Sequence, residues 1–198
     1  NTDEVNNVMI QGVSDSENDL VGYWNFNEGS GTSVIDQTSN ENNGTISGDV
    51  SWSTDVPPIL PVPGGNNSLS FDGVDDYASV LELSSAVDNS NITLMGWFKS
   101  TSNGEPNIYF EGIFGFRNYP SGDGNFFASI GWTGWDNPIL QIYGGVSANI
   151  DLTPDDDTWY HLALVYDNDN GVFSTYLDGV QMASNTPNND PMVPSIDL

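Results

Sequence analysis

Two tryptophans three residues apart, Trp132 and Trp135, form the clearest pattern for binding chemistry in the sequence. Sugars present apolar ring faces and many hydroxyls, so an exposed aromatic ring beside Asp and Asn side chains is typical of a sugar site. A nearby segment, residues 117–123, is expected to form the other half of the same hairpin region. The predicted ligand-binding residues are Trp132, Trp135, Asp136, Asn137, Tyr119 and Asp123. The alternative is that both tryptophans simply cover a sheet edge.

Oxygen-bearing side chains of a second segment suggest a metal site. Glu28, Asp36, Asn43 and the carbonyl of Gly44 lie in one connection of the chain. Ca²⁺ takes six to eight such oxygens in irregular geometry. We therefore expect calcium to be bound by these four residues.

Catalytic groups are scarce. The chain has no Cys and a single His, His161, so it cannot build the His and Cys sites that catalytic zinc usually uses. His161 lies inside an apolar segment, where a structural role is expected. The glycine-rich residues 112–115 precede neither a helix nor a Lys, as a phosphate-binding loop would require. We predict that the protein is not an enzyme and has no catalytic residues.

The charge of the chain excludes further functions. It carries 28 acidic and 2 basic residues among 198, a net charge of −26, with 37% hydrophobic residues. Lys99 and Arg117 alone cannot neutralise a nucleic-acid backbone, and no apolar run is long enough to span a membrane. Such a charge is best tolerated in high salt or with bound Ca²⁺. We expect an extracellular protein, secreted or on the cell surface, cut from a longer precursor.

Short runs rich in β-branched and aromatic residues alternate with Gly, Asn, Asp, Ser and Pro, which predicts an all-β protein. The segment Trp159–Tyr166 is apolar on both alternations, as expected of a strand covered on both faces in a two-sheet sandwich. Asp167–Gly171 and Asp178–Gly179 predict hairpin turns. The predicted strands are Leu20–Phe26, Gly44–Trp52, Ser68–Phe71, Tyr77–Leu81, Ile92–Lys99, Tyr109–Phe116, Asn125–Trp132, Ile139–Tyr143, Trp159–Asp167 and Val172–Leu177.

Four blocks between Leu20 and about Ser184 resemble laminin-G-like domains of the concanavalin A-like lectin/glucanase superfamily. They are Leu20–Gly31 with the following Asp36 and Asn43-Gly44-Thr45, then Ser68–Tyr77, Ile92–Lys99, and Trp159–Asp167 ending in Tyr176–Gly179. The resemblance implies an antiparallel jelly-roll β-sandwich in an extracellular binding module, with structural calcium near the first block. Related glucanases carry a Glu-x-Asp-x-x-Glu strand. This sequence has none, since Glu105 and Glu111 are six residues apart.

The sequence departs from the family pattern because the closing strand that usually pairs beside the first strand is missing. We expect residues 20–198 to form the sandwich and residues 1–19 to be an extension. Val8–Val13 has strand composition, and it could pair with its own sheet or with that of a neighbouring chain by strand exchange.

The expected function is recognition of a polysaccharide or surface glycan. One alternative is a structural or adhesive module of a large cell-surface or filament-forming protein, with no glycan site of its own. Another is an appendage of a polysaccharide-degrading enzyme whose catalytic domain lies elsewhere.

Overall fold

A computed structural model describes residues 2–14, 17, 19–58, 65–81, 83, 91–100, 110–116, 126–132, 138–144, 150 and 152–185. The chain divides into two compact units, residues 3–86 and 87–198, called here the N-terminal and C-terminal units. All strand pairs among the described residues are antiparallel. The predicted all-β antiparallel class is confirmed.

In its described residues, the N-terminal unit combines one helix with two small sheets. The sheets have the strand orders β1-β2-β5 and β3-β4. The elements are α1 (Thr2–Gln11), β1 (Ser33–Val34), β2 (Gly44–Ser47), β3 (Ser51–Ser53), β4 (Ser68–Ser70) and β5 (Tyr77–Ser79).

Helix α1 overturns the strand predicted for Val8–Val13. Val5, Val8 and Met9 stand at the i, i+3, i+4 spacing of one helix face, and Val5 is 2% exposed. Asp3 and Glu4 occupy the first turn, where acidic groups favour the helix dipole. Gly12 then ends the helix with a φ of 76°, and its N–H donates to the Val8 carbonyl over 2.9 Å. Three apolar residues within five positions are too short a pattern to predict a helix from the sequence.

The N-terminal extension therefore offers no strand for exchange among its described residues. Nor does any described helix have the length and hydropathy needed to cross a membrane. The boundary expected at residue 19 stays a prediction, and so does the absence of the closing strand.

The strand predicted for Leu20–Phe26 is wrong apart from a single bridge between Trp24 and Asp36. Side-chain amides replace a neighbouring strand along this segment. Asn40 Nδ2 donates to the carbonyl oxygens of Leu20 and Val21 over 2.9 and 3.1 Å. These backbone acceptors are thus satisfied without a ladder.

The strand predicted for Gly44–Trp52 is broken into β2 and β3 at Gly48. Gly48 has a φ of 88°, and a Cβ built there would clash with Asp76. The Asp76 carboxylate accepts a hydrogen bond from the next amide, Asp49 N. A glycine is needed here both for its backbone angle and for the close approach.

The C-terminal unit contains a four-stranded sheet, β12-β11-β10-β6, and a three-stranded sheet, β7-β8-β9. Its strands are β6 (Ile92–Lys99), β7 (Phe110–Phe116), β8 (Phe126–Trp132), β9 (Pro138–Gly144), β10 (Trp159–Asp167), β11 (Val172–Leu177) and β12 (Val180–Asn185). The predictions for β6 to β11 are confirmed within one or two residues.

Strand β10 is the centre of this unit. Leu162 and Leu164 on one alternation and Ala163 on the other are all 0% exposed, so both faces are covered as predicted. The ring of Phe114 on β7 packs against Gly96 of β6, at an ordinary contact distance of 3.5 Å from the position that a Cβ would take there. The side chain of Phe114 thus brings β7 onto the four-stranded sheet.

Both predicted hairpin connections are present. Asp178 and Gly179 have φ angles of 48° and 76° and lead into β12, a strand that the sequence analysis did not delimit. At the other turn only Gly171 has a positive φ, while Asp167 Oδ1 accepts the Asn170 N–H over 3.0 Å. The pKa of Asp167 is lowered first by the side-chain amide of Asn170, whose Nδ2 donates to Asp167 Oδ2 over 2.7 Å, and then by this backbone hydrogen bond.

Candidate functional site

Asp36 organises the segment that was predicted to bind calcium. The residue is 5% exposed, and its Oδ1 accepts the N–H groups of Tyr23 and Thr38, both over 2.9 Å. Its Oδ2 accepts Thr38 Oγ1–H over 2.8 Å and the Asn42 N–H over 2.9 Å. Burial by itself raises the pKa of Asp36, but these hydrogen bonds outweigh it and hold the pKa below its ordinary value.

The hydrogen bonds of Asp36 occupy the positions at which a cation would bind. A carboxylate offers about four lone-pair positions, and protein donors take two on each oxygen of Asp36. Its role in the structure is to fold the loop rather than to present free oxygens.

The other predicted metal ligands lie around the same loop. Asn43 Oδ1 accepts the Asp36 N–H over 3.0 Å, and Gly44 begins β2 opposite Val34. Glu28 Oε1 accepts the N–H of Ile35 over 2.9 Å. The structure thus ties Glu28 to the residue before Asp36, and Asn43 to Asp36 itself.

Among the predicted metal ligands, Glu28 has a carboxylate oxygen that the protein does not use. Its Oε2 is buried and has no hydrogen-bond partner. A buried carboxylate oxygen without a donor costs free energy, which a cation or a water molecule would relieve. Of the four predicted groups, the Glu28 carboxylate is therefore the one that best fits a hard cation.

A group of acidic residues that the sequence analysis did not select stands between β4 and β5. Carboxylate oxygens of Asp72, Asp75 and Asp76 lie within 4.8 Å of one another. Asp76 Oδ2 accepts the Asp72 N–H and Asp72 Oδ1 accepts the Val74 N–H, both over 2.8 Å. The available signal was the spacing Asp-Gly-Val-Asp-Asp, which also shapes the turn.

The predicted sugar site lies mostly outside the described residues. This holds for Trp135, Asp136, Asn137, Tyr119 and Asp123. Trp132 is the last residue of β8, and its backbone pairs with Pro138 of β9. The ligand role of these six residues stays a prediction.

Aromatic and basic residues meet on the paired strands β6 and β10. The backbone of Trp159 pairs with Lys99 and that of His161 with Trp97. Lys99 Nζ stands 5.8 Å from the centre of the Trp159 ring and 3.4 Å from an Asp157 carboxylate oxygen. The ammonium group of this lysine therefore interacts with both an aromatic ring and a carboxylate.

His161 has the structural position expected of it. It is 2% exposed, its ring meets that of Trp97 edge-on at 5.2 Å, and its Nδ1 has no hydrogen-bond partner. Burial lowers the pKa of His161 to about 4, so the ring is neutral at neutral pH. Its backbone N–H donates to Asp178 Oδ1 and its carbonyl accepts the Asp178 N–H, which anchors the β11–β12 turn.

Comparison with solved structures gives three matching chains. One is Domain 4 of AbnA, a GH43 extracellular arabinanase from Geobacillus stearothermophilus, in complex with arabinotriose. The similarity has a TM-score of 0.52 and 22% identity over 80% of this chain and 71% of that one. The second is the binding domain of Paraclostridial Mosquitocidal Protein 1, with a TM-score of 0.59 and 13% identity over 88% of this chain and 42% of that one.

A search of curated proteins finds no match. The model of a laminin G-like family, described as the Concanavalin A-like lectin/glucanases superfamily, matches residues 72–195. The match includes the block Trp159–Asp167 and covers more than half of the 198 residues. This chain therefore belongs to the laminin G-like family of the concanavalin A-like lectin/glucanase superfamily.

Proposed function

We propose that this protein is an extracellular carbohydrate-binding module that recognises a polysaccharide or surface glycan. The observation that carries the proposal is its similarity in fold to an arabinanase domain solved with arabinotriose. Membership of a family named for lectins and glucanases supports it. The same neighbour favours a parent protein that acts on polysaccharides, with this chain as its binding appendage.

Trp132 and Trp135 form the proposed stacking platform, and Asp136, Asn137, Tyr119 and Asp123 supply groups for the sugar hydroxyls. Replacing either tryptophan by Ala should abolish glycan binding and leave the melting temperature nearly unchanged. Trp→Ala in a packed core costs about 3 to 5 kcal/mol instead.

The matched control is Trp24→Ala, which should lower stability without a specific effect on binding. The indole Nε1 of Trp24 donates to the Asn42 carbonyl over 2.8 Å, so this tryptophan supports the loop around Asp36. Binding would be measured on a glycan array that includes arabinan. A protein that binds no glycan on such an array would instead fit the adhesive or spacer alternative.

A bound calcium ion is also part of the proposal, with Glu28 as its anchor. Asn43 and the carbonyl of Gly44 are the further ligands that we propose, whereas Asp36 holds the loop in shape. Support comes from the unpartnered Oε2 of Glu28 and from the density of acidic groups in a chain of charge −26.

Glu28→Gln and Asp36→Asn separate these two roles. Ca²⁺ that binds only the folded state stabilises it by about 2.7 kcal/mol at a hundredfold excess over Kd. Melting curves in EDTA and in Ca²⁺ at matched ionic strength should differ for the wild type and coincide for Glu28→Gln. Equal curves for the wild type would refute calcium binding. A shift that survives in Glu28→Gln but not in Asp72→Asn would move the ion to the Asp72, Asp75 and Asp76 group.

A further inference from the structure

The charges of the described residues bear on which polysaccharides this protein can bind. An acidic polymer needs cationic side chains, usually Lys or Arg, that are free to approach its carboxylates or sulfates. The whole chain has two, Lys99 and Arg117, against 28 acidic residues. The question is then whether any cation of the structure is available to a ligand.

Lys99 is already held within the protein. Its Nζ lies 3.4 Å from Asp157 Oδ1 and over the Trp159 ring, and its side chain is 19% exposed. Recruiting it would break that ion pair and leave the Asp157 carboxylate, 74% exposed, facing the polymer. His161 adds no cation, because it is buried and its pKa is about 4. Arg117 lies outside the described residues, and within them Lys99 is the one Lys or Arg side chain and is already engaged.

Acidic groups, in contrast, are free to repel an anionic ligand. Asp72 and Asp75 are exposed and close to Asp76, in the same chain whose net charge is −26. The proposed ligand residues Asp123 and Asp136 are themselves acids. Carboxylates accept hydrogen bonds from sugar hydroxyls but repel uronate and sulfate groups.

We infer that the polysaccharide recognised by this protein is uncharged, and that the protein's own acidic surface excludes polymers of uronic acids or sulfated sugars. The inference rests on the proposed carbohydrate-binding function and adds the charge class of its ligand. Neutral sugars are recognised through ring stacking and hydroxyl hydrogen bonds, which need no cation and depend little on salt. Anionic polymers meet a repulsion that weakens as salt screens it.

Matched polymers test this directly. The protein would be titrated with a panel of neutral polysaccharides, and with uronic-acid polymers each paired with its carboxyl-reduced form, which keeps the backbone and removes the charge. Titrations would be run in EDTA and in Ca²⁺, at low and high NaCl. We expect the affinity for neutral polymers to be independent of the NaCl concentration. At low salt, a carboxyl-reduced polymer that binds should do so about tenfold or more tightly than its charged parent.

Each result decides one point. Binding of a charged parent as tightly as its reduced form in EDTA would overturn the inference and leave the proposed function standing. Tight binding of a charged parent only with Ca²⁺ would also overturn it, because the cation would then bridge two sets of carboxylates. Binding to no polymer of either class would refute the proposed function, and this inference with it.

Discussion

The loop between Leu20 and Gly44 and the sheet around β10 satisfy their backbone polar groups in different ways. In the loop, carboxylate and amide side chains of Asp36, Asn40 and Asn42 reach across the chain to amides and carbonyls. In the sheet, β10 pairs with β6 and β11 through continuous antiparallel ladders. The loop therefore depends on a few individual side chains, whereas the sheet depends on the burial of many apolar ones.

The two regions should therefore lose stability through different kinds of substitution. The core of the C-terminal unit is uniform, since Leu162, Ala163, Leu164 and Phe173 are all 0% exposed. Truncation of Leu162, Leu164 or Phe173 would leave a cavity. In the loop, apolar contacts matter less and each polar substitution removes hydrogen bonds that nothing nearby replaces.

The largest effect is expected in the sheet. Leu164→Ala should lower the free energy of unfolding by about 2 to 5 kcal/mol, because the side chain is fully buried on β10. Val74→Ala is the control, since Val74 is 83% exposed and its loss should stay within about 0.5 kcal/mol. Urea unfolding of both variants checks this. Similar losses for the two would show that β10 is not the packed centre.

The second effect tests the buried histidine of the sheet by pH. His161 has its folded pKa lowered to about 4 from 6.5, so its stability contribution is complete above pH 6.5 and falls as the unfolded chain takes up a proton. The loss should reach about 3 kcal/mol by pH 4 and then level off. His161→Gln removes this titration. The unfolding free energies of the wild type and the variant would be measured from pH 7.5 to 4. The wild-type value minus the variant value should fall as pH falls below 6.5. A difference that does not change with pH would show that His161 takes up a proton in the folded state as easily as in the unfolded state.

The third effect belongs to the loop. Asp36→Asn replaces an acceptor oxygen by a donor that faces N–H and O–H groups, and should cost about 2 kcal/mol. Because hydrogen bonds lower the pKa of Asp36, its contribution is present above its ordinary pKa of 3.8 and is lost as pH falls through the folded value. Chemical unfolding at pH 7 and in acid measures both. Asp72→Asn is the control, because that carboxylate is exposed, and an equal loss there would remove the special role of Asp36.

The same contrast explains which features the sequence could predict. Strands β6, β10 and β11 follow from short runs rich in apolar, β-branched and aromatic residues and from the Asp and Gly residues of their turns, all of which are local signals. The sequence could not predict that Leu20–Phe26 lacks a strand, because the side chains that bind its backbone lie 13 to 21 residues away and have no periodicity. The calcium prediction selected residues that the structure does bring into one loop. A list of oxygens could not show that the Asp36 carboxylate is used for internal hydrogen bonds while Glu28 Oε2 has no partner.

The smallest effect is expected at Asn40, whose side-chain amide donates to the carbonyl oxygens of Leu20 and Val21. Asn40→Ala removes two hydrogen bonds at an exposed position and should cost about 1 kcal/mol. Asn40→Asp keeps the shape of the side chain but turns its donor into an acceptor that faces the same two carbonyls. If donation is what matters, Asn40→Asp must destabilise at least as much as Asn40→Ala, and amide hydrogen exchange should quicken at Tyr23 in both variants. If instead the aspartate variant keeps wild-type stability, the segment is held by packing, and the contrast between a loop built from side chains and a sheet built from backbone would fail at this point.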